Sequence, residues 1–214
     1  MFHHVPFIKE GSVRQGDLFQ ETGWIDLPGA TLFWAPDFFS PSQAESIFQQ
    51  LHRSLPWQQL PITMYGRDVL QPRLQAWFGH AYAYSGLQLK AAPMPPALVA
   101  LKSQCEQVAG IEYNSVLANL YRDGSDYMGW HQDNEVELGQ EPSIASLSFG
   151  ETRRFVLRHL DTGEKREFEL GSGSLLIMAG KTQISWQHAV PKTAKSRGAR
   201  INLTFRNIKF PARS

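Results

Sequence analysis

Arg200-Ile201-Asn202-Leu203-Thr204-Phe205-Arg206 alternates polar and apolar residues without interruption. Side chains of a strand alternate between its two faces, so Ile201, Leu203 and Phe205 share one face. Arg200, Asn202, Thr204 and Arg206 share the other. The apolar face fits a core. The polar face has two readings: an ordinary solvated surface, or the lining of a barrel. Inside a barrel, two buried guanidiniums demand anionic partners. A dicarboxylate with one acid at each end would satisfy both by bidentate pairing, and an adjacent ketone would let it chelate a metal.

The segments upstream follow the same grammar. Residues 115–120, 144–149, 155–159, 168–170, 174–178 and 186–190 read as short strands, and 200–207 closes the series. Turns such as Asp161-Thr162-Gly163 and Gly171-Ser172-Gly173 separate them. Many short strands with glycine-rich turns predict a mostly β sandwich or barrel with flanking helices. The helices fall in the first half. Ser40-Pro41 supplies an N-cap and a first-turn proline, followed by Ala44, Ile47, Phe48 and Leu51. Pro95-Pro96 opens a second helix through Leu98, Leu101, Cys105 and Val108, which Gly110 ends. Residues 55–90 read as irregular and aromatic, and the first thirty as an extended, glycine-punctuated arm.

His131 and Asp133 lie two apart, so both point the same way from an extended segment. A third imidazole closes the set into two histidines and one carboxylate, which holds one side of an octahedral Fe(II) and leaves positions free. His188, near a strand end, is the favoured third ligand, with His80 and His159 as competitors. Such a pair also serves zinc; the lack of a nearby cysteine and the arginine pair favour iron. Gly124 and Gly129 are expected to let the backbone turn tightly into the site.

Composition sets the outer bounds. A chain of 214 residues with 42% hydrophobic and 19% charged residues suits one well-packed core. The lone cysteine, Cys105, excludes an internal disulfide framework and points to a reducing compartment. No apolar run reaches membrane-spanning length and no secretion signal is apparent, so the expected location is cytoplasmic, or nuclear in a eukaryote. Net charge is only +1, yet from Lys181 onward the chain has basic residues and no Asp or Glu. That end could face phosphates or a dicarboxylate.

Taken together, Asn119-Leu120-Tyr121, His131-Gln132-Asp133, Ala145-Ser146-Leu147-Ser148-Phe149-Gly150, His188 and the 200–206 stretch resemble the AlkB family of Fe(II)- and 2-oxoglutarate-dependent dioxygenases. The resemblance is closest to the nucleic-acid dealkylating members and spans residues 61–207. It implies a double-stranded β-helix, the jelly roll, with Fe(II) on His131, Asp133 and His188. It implies 2-oxoglutarate as cosubstrate, one carboxylate on Arg200 assisted by Tyr121, the other against Arg206, with Asn119 and Asn202 adding hydrogen bonds. On the substrate side, Met64-Tyr65-Gly66 resembles a loop that wedges into the base stack, followed by a recognition segment with Arg73, Tyr82, Tyr84 and Ser85. Tyr82 or Tyr84 would sandwich a flipped base against His131, and Glu135 would touch its exocyclic amino group.

The division so implied is an arm over 1–30, a helical and aromatic-rich nucleotide-recognition segment over 31–110, and a catalytic core over 111–214. The implied activity is oxidative demethylation of N1-methyladenine and N3-methylcytosine in DNA, releasing succinate, carbon dioxide and formaldehyde. Its partners would be alkylated single- or double-stranded DNA, or RNA, with no membrane and no obligate protein partner. The same chemistry on RNA or another substrate class, or a non-catalytic binding module, are the alternatives.

Overall fold

The computed structural model describes residues 21–64, 67–84 and 87–209, with side chains outside 63–68 and 82–88. A hairpin of β1 (Gly23–Leu27) and β2 (Ala30–Ala35) leads into helix α1 (Pro41–Ser54). Short hairpins follow: β3 (Pro61–Met64) with β4 (Arg67–Leu70), then, after β5 (Leu74–Gly79), β6 (Tyr82–Tyr84) with β7 (Leu87–Leu89). Helix α2 (Pro96–Ala109) precedes eight further strands: β8 (Ser115–Tyr121), β9 (Met128–His131), β10 (Ile144–Gly150), β11 (Arg153–His159), β12 (Lys165–Leu170), β13 (Ser174–Ala179), β14 (Trp186–Val190) and β15 (Arg200–Arg206). A one-turn helix, α3 (Thr182–Ser185), joins β13 to β14.

These strands form two antiparallel sheets. The larger has the order β1-β2-β13-β10-β15-β8-β5 and the smaller β12-β11-β14-β9. From β8 to β15 the chain alternates between sheets, apart from the β11–β12 hairpin, which is the winding of a double-stranded β-helix. The jelly roll expected from the sequence is the fold observed.

Both faces of the large sheet are covered. Val116, Ala118, Leu120, Leu147, Phe149, Ile201, Leu203 and Phe205 pack against Leu51 of α1 and Leu98, Leu101 and Cys105 of α2. The opposite face meets Phe155, Leu157, Phe168 and Trp186 across the space between the sheets. All seven residues of β15 are buried, so the solvated-surface reading of its polar face is overturned. Burial on both sides is possible because helices cover one face and a second sheet the other.

The helices begin and end as their termini dictate. Ser40 Oγ accepts from the Gln43 amide while Gln43 Oε1 accepts from the Ser40 amide, a reciprocal cap. Gly110 takes the left-handed conformation (φ 68°) that closes α2. The segment read as irregular between 55 and 90 is instead strand-rich. Its β5 pairs with β8 from Leu74↔Leu120 to Gly79↔Ser115, and the pattern was hidden because β5 buries four consecutive residues rather than alternating. The hairpin from Gly23 also joins the large sheet through β2 and β13. Trp186 Nε1 donates to Pro28 O at 2.9 Å, pinning that hairpin to β14.

Leu203, fully buried between sheet and helices, gives a direct test of this packing. Leu203→Ala should lower unfolding free energy by about 2–5 kcal/mol in denaturant titration; a change below 1 kcal/mol would contradict the assigned burial.

Candidate active site

The space between the sheets is apolar at one wall and polar at the other. Met128, Phe155, Leu170, Met178 and Val190 line it together with Tyr121, His131, His188, Arg200 and Asn202. The polar floor is made by inward positions of β8, β15 and β10. Register places Arg200 beside Tyr121, and Asn202 between Asn119 and Ser148. Asn202 Nδ2 donates to Ser146 Oγ and Leu147 O, at 2.8 and 3.0 Å. The two serines belong to the alternating 144–149 stretch, so their inward direction was readable in the sequence, though their part in the site was not.

Across the gap, β14 pairs with β9 so that His188 lies opposite His131. Their ring centroids are 4.1 Å apart. Asp133, two residues beyond β9, completes a group whose ligand atoms all lie within 4.8 Å of one another. His80 and His159 fall outside this group. His159 instead packs on Trp186 and accepts from the amides of Asp161 and Thr162.

Hydrogen bonding and charge prepare these groups for a metal. With Nδ1 of His131 donating to Gly129 O at 2.9 Å, Nε2 keeps its lone pair. His188 Nδ1 is buried with no hydrogen-bond partner among the described residues. Desolvation lowers the His131 pKa, and desolvation together with the neighbouring His131 pushes His188 down to about 3. Burial alone would raise Asp133, but the Arg206 guanidinium and the two imidazoles hold its carboxyl at about 2. Two neutral imidazoles and one carboxylate fit a divalent cation that accepts nitrogen and oxygen ligands.

Arg206 Nη2 donates to both oxygens of Asp133, each at 3.0 Å. This strand-end cation therefore positions the ligand carboxylate, a contact the resemblance did not imply. A second positioning residue went unread in the sequence: Gln183 of α3 accepts from the Asp133 amide at 2.9 Å, and its own carbonyl accepts from Gln132 Nε2 at 2.8 Å. No motif marks Gln183; only its burial in a one-turn helix identifies it.

Arg200 differs from Arg206. It is 1% exposed, and Nη2 donates to Ser148 Oγ at 2.9 Å. Its Nε and Nη1 are buried without partners among the described residues. Its Cζ lies 5.2 Å from the Tyr121 ring centre. Desolvation lowers its pKa to about 10, still well above neutrality. A permanent cation with two unmet donors inside an enclosed cavity is built for an anion.

The other expected site residues divide. Asn119 Oδ1 accepts from Arg73 Nε at 2.8 Å and Gln75 Nε2 at 3.0 Å. Arg73, expected at the substrate, is 3% exposed and also donates to Gln71 Oε1 at 2.7 Å. It braces the floor instead of facing solvent, because β5 carries it into the sheet edge. Glu135 is half-buried and heads the short turn at Val136–Leu138. Tyr65, Gly66 and Ser85, and the side chains of Met64, Tyr82 and Tyr84, lie outside the described residues. Gly124 lies in the turn between β8 and β9, as expected, whereas Gly129 sits within strand β9 and makes no turn. A Cβ at Gly124 would come within 2.6 Å of Thr193 O, so that glycine serves a close approach of two loops.

A family described as the 2OG-Fe(II) oxygenase superfamily matches residues 31–206, which contain the three metal-binding candidates and both arginines of β15. The chain belongs to this superfamily. Similar members include alpha-ketoglutarate-dependent dioxygenase alkB homolog 3 of Bos taurus, 45% identical over 81% of the chain and 64% of that protein. The DNA oxidative demethylase ALKBH2 of Homo sapiens is 37% identical over 79% of the chain and 70% of that protein. The chain thus spans about 64% of the length of the alkB homolog 3 relatives. The solved structure of OsALKBH1 shares the fold, with a TM-score of 0.60 at 20% identity, covering 86% of the chain and all of that structure.

Two measurements test this geometry. Arg200→Met removes two unsatisfied buried donors, so the ligand-free variant should be more stable by about 1–3 kcal/mol; a less stable variant would show the donors to be satisfied. The imidazoles of the metal-free protein have folded pKa values below the unfolded value near 6.5. Below about pH 6.5 the unfolded state therefore binds more protons, and stability falls as pH falls toward 3. His188→Asn should flatten that slope by about one proton; an unchanged slope counts against a neutral His188.

Proposed function

We propose that the chain is an Fe(II)- and 2-oxoglutarate-dependent dioxygenase that removes methyl groups from ring nitrogens of DNA bases, N1-methyladenine and N3-methylcytosine above all. The observation that carries the reading is Arg200: a buried guanidinium with two unpartnered donors in the cavity that holds two neutral imidazoles. A ligand with a carboxylate at its far end meets that demand. His131, Asp133 and His188 would hold the iron, which supplies the oxidising chemistry when bound.

The protein's own residues place and shield. Arg200, with Ser148 and Tyr121 alongside, receives the distal carboxylate. Arg206 keeps Asp133 ionised and oriented. Asn202 and Asn119 lie on the same polar row, and Arg73 and Gln75 fix the direction of the Asn119 amide. The apolar wall from Met128 to Val190 limits water. Overall, 2-oxoglutarate loses carbon dioxide, one atom of O2 ends in succinate and the other enters a C–H bond of the methyl group. The hydroxymethyl base then loses formaldehyde, and the ring nitrogen recovers its pairing capacity.

Two further arguments support a nucleic-acid substrate. The similar proteins carry the names DNA oxidative demethylase and alkB homolog 3. A base methylated at a ring nitrogen is cationic and has lost Watson–Crick pairing, which lowers the cost of extruding it. In this reading Met64, Tyr65 and Gly66 enter the base stack, and Tyr82 or Tyr84 stacks on the flipped base, with Ser85 in the same segment and Glu135 near its amino group. RNA is the second substrate class. Among the described residues no helix is long and apolar enough to cross a membrane, and cytoplasmic or nuclear work on nucleic acid is part of the proposal.

Formaldehyde yield from matched methylated oligonucleotides, single or double and DNA or RNA, tests the reading. Release from DNA with equimolar succinate is expected, and His131→Ala should abolish both products. Succinate formation with no formaldehyde from any of the four would overturn the substrate assignment.

A further inference from the structure

Strand β9 is the outer strand of the small sheet. Among the described residues nothing lies within 4 Å of where a Cβ on Gly129 would stand, so the face of β9 from which that Cβ would project is open there. Trp130, next to the ligand His131, keeps 41% of its surface exposed. The Arg158 guanidinium lies over its ring, 4.5 Å from the centre. Just before β9, the Lys192 ammonium lies 4.5 Å from the centre of the Tyr127 ring. Two cation–aromatic pairs thus meet at the β9 side of the small sheet: Arg158 reaches Trp130 from β11 across β14, and Lys192 meets Tyr127 just before β9. Besides the Trp130 ring, Arg158 meets the Gln187 amide oxygen, to which it donates. Among the described residues neither Arg158 nor Lys192 forms an ion pair, whereas Arg197 and Arg206 of the same basic end are matched by Glu151 and Asp133.

We propose that this edge seats the nucleic-acid strand on either side of the target base, with bases stacking on Trp130 and Tyr127 and phosphates meeting Arg158 and Lys192. An exposed tryptophan is a sequence-tolerant stacking platform, and unpaired cations beside it suit a polyanion. The inference rests on the nucleic-acid reading above and adds the surface that holds the strand.

Binding of an unmodified ten-residue single strand, as DNA and as RNA, is measured by fluorescence anisotropy on the full chain. Trp130→Ala should weaken binding about 10-fold, within the range of one lost stacking contact. Lys192→Gln and Arg158→Gln should each reduce the slope of log affinity against log salt by about 0.7, one phosphate apiece. Lys192 is exposed, so its variant guards against misfolding of the Trp130 variant. Affinity and slope unchanged in all three variants would overturn the assignment. Formaldehyde release by the unaltered protein, run in parallel, reports on the reaction itself: no release with intact, Trp130-dependent strand binding would sink the function and keep the surface.

Discussion

The two guanidiniums of β15 are buried, and the arrangement of the site follows from how each is answered. Arg206 meets Asp133 inside the protein. Arg200 finds one serine and keeps two donors in want of an acceptor. An unmatched buried cation is costly and persists where a ligand completes it. The jelly roll supplies the dry space, and the two arginines supply its charge: one holds the carboxylate of the candidate metal site, the other keeps donors that suit an anion.

The architecture explains why these groups converge from distant parts of the chain. Winding between sheets brings β9 and β14 together, and with them His131 and His188, while β15 runs opposite on the large sheet. Arg153 then ties the loops beside the cavity, donating to the carbonyls of Asp123, Asp126 and Pro191 at 2.8–3.0 Å. Helices α1 and α2 cover the far face of the large sheet, so its inward row is free to be polar. The site stands on strands and on a loop held by α3, which favours a fixed geometry.

Much of this was legible in the residues. The alternation from Arg200 to Arg206 foretold both faces of β15, and the caps at Ser40 and Gly110 marked the helices. His131 and Asp133 announced themselves by spacing; His188 was favoured over His80 and His159 by its place near a strand end, and the β9–β14 pairing sets it opposite His131. Three things stayed hidden. The strands between 61 and 89 are short, and β5 is buried along its length, so no period-two signal appears. Arg73 was expected at the substrate through the resemblance of its segment to a recognition segment, whereas a buried network with Asn119 and Gln71 accommodates it. Gln183 acts through its place in space, which local sequence does not encode.

The most direct measurement is a crystal structure grown without oxygen in the presence of Fe(II) and 2-oxoglutarate, with anomalous data at the iron edge. The account predicts one iron peak bound by His131, Asp133 and His188, and a cosubstrate carboxylate against Nε and Nη1 of Arg200. Iron elsewhere, or a cosubstrate that leaves those two Arg200 donors unmet, would contradict it.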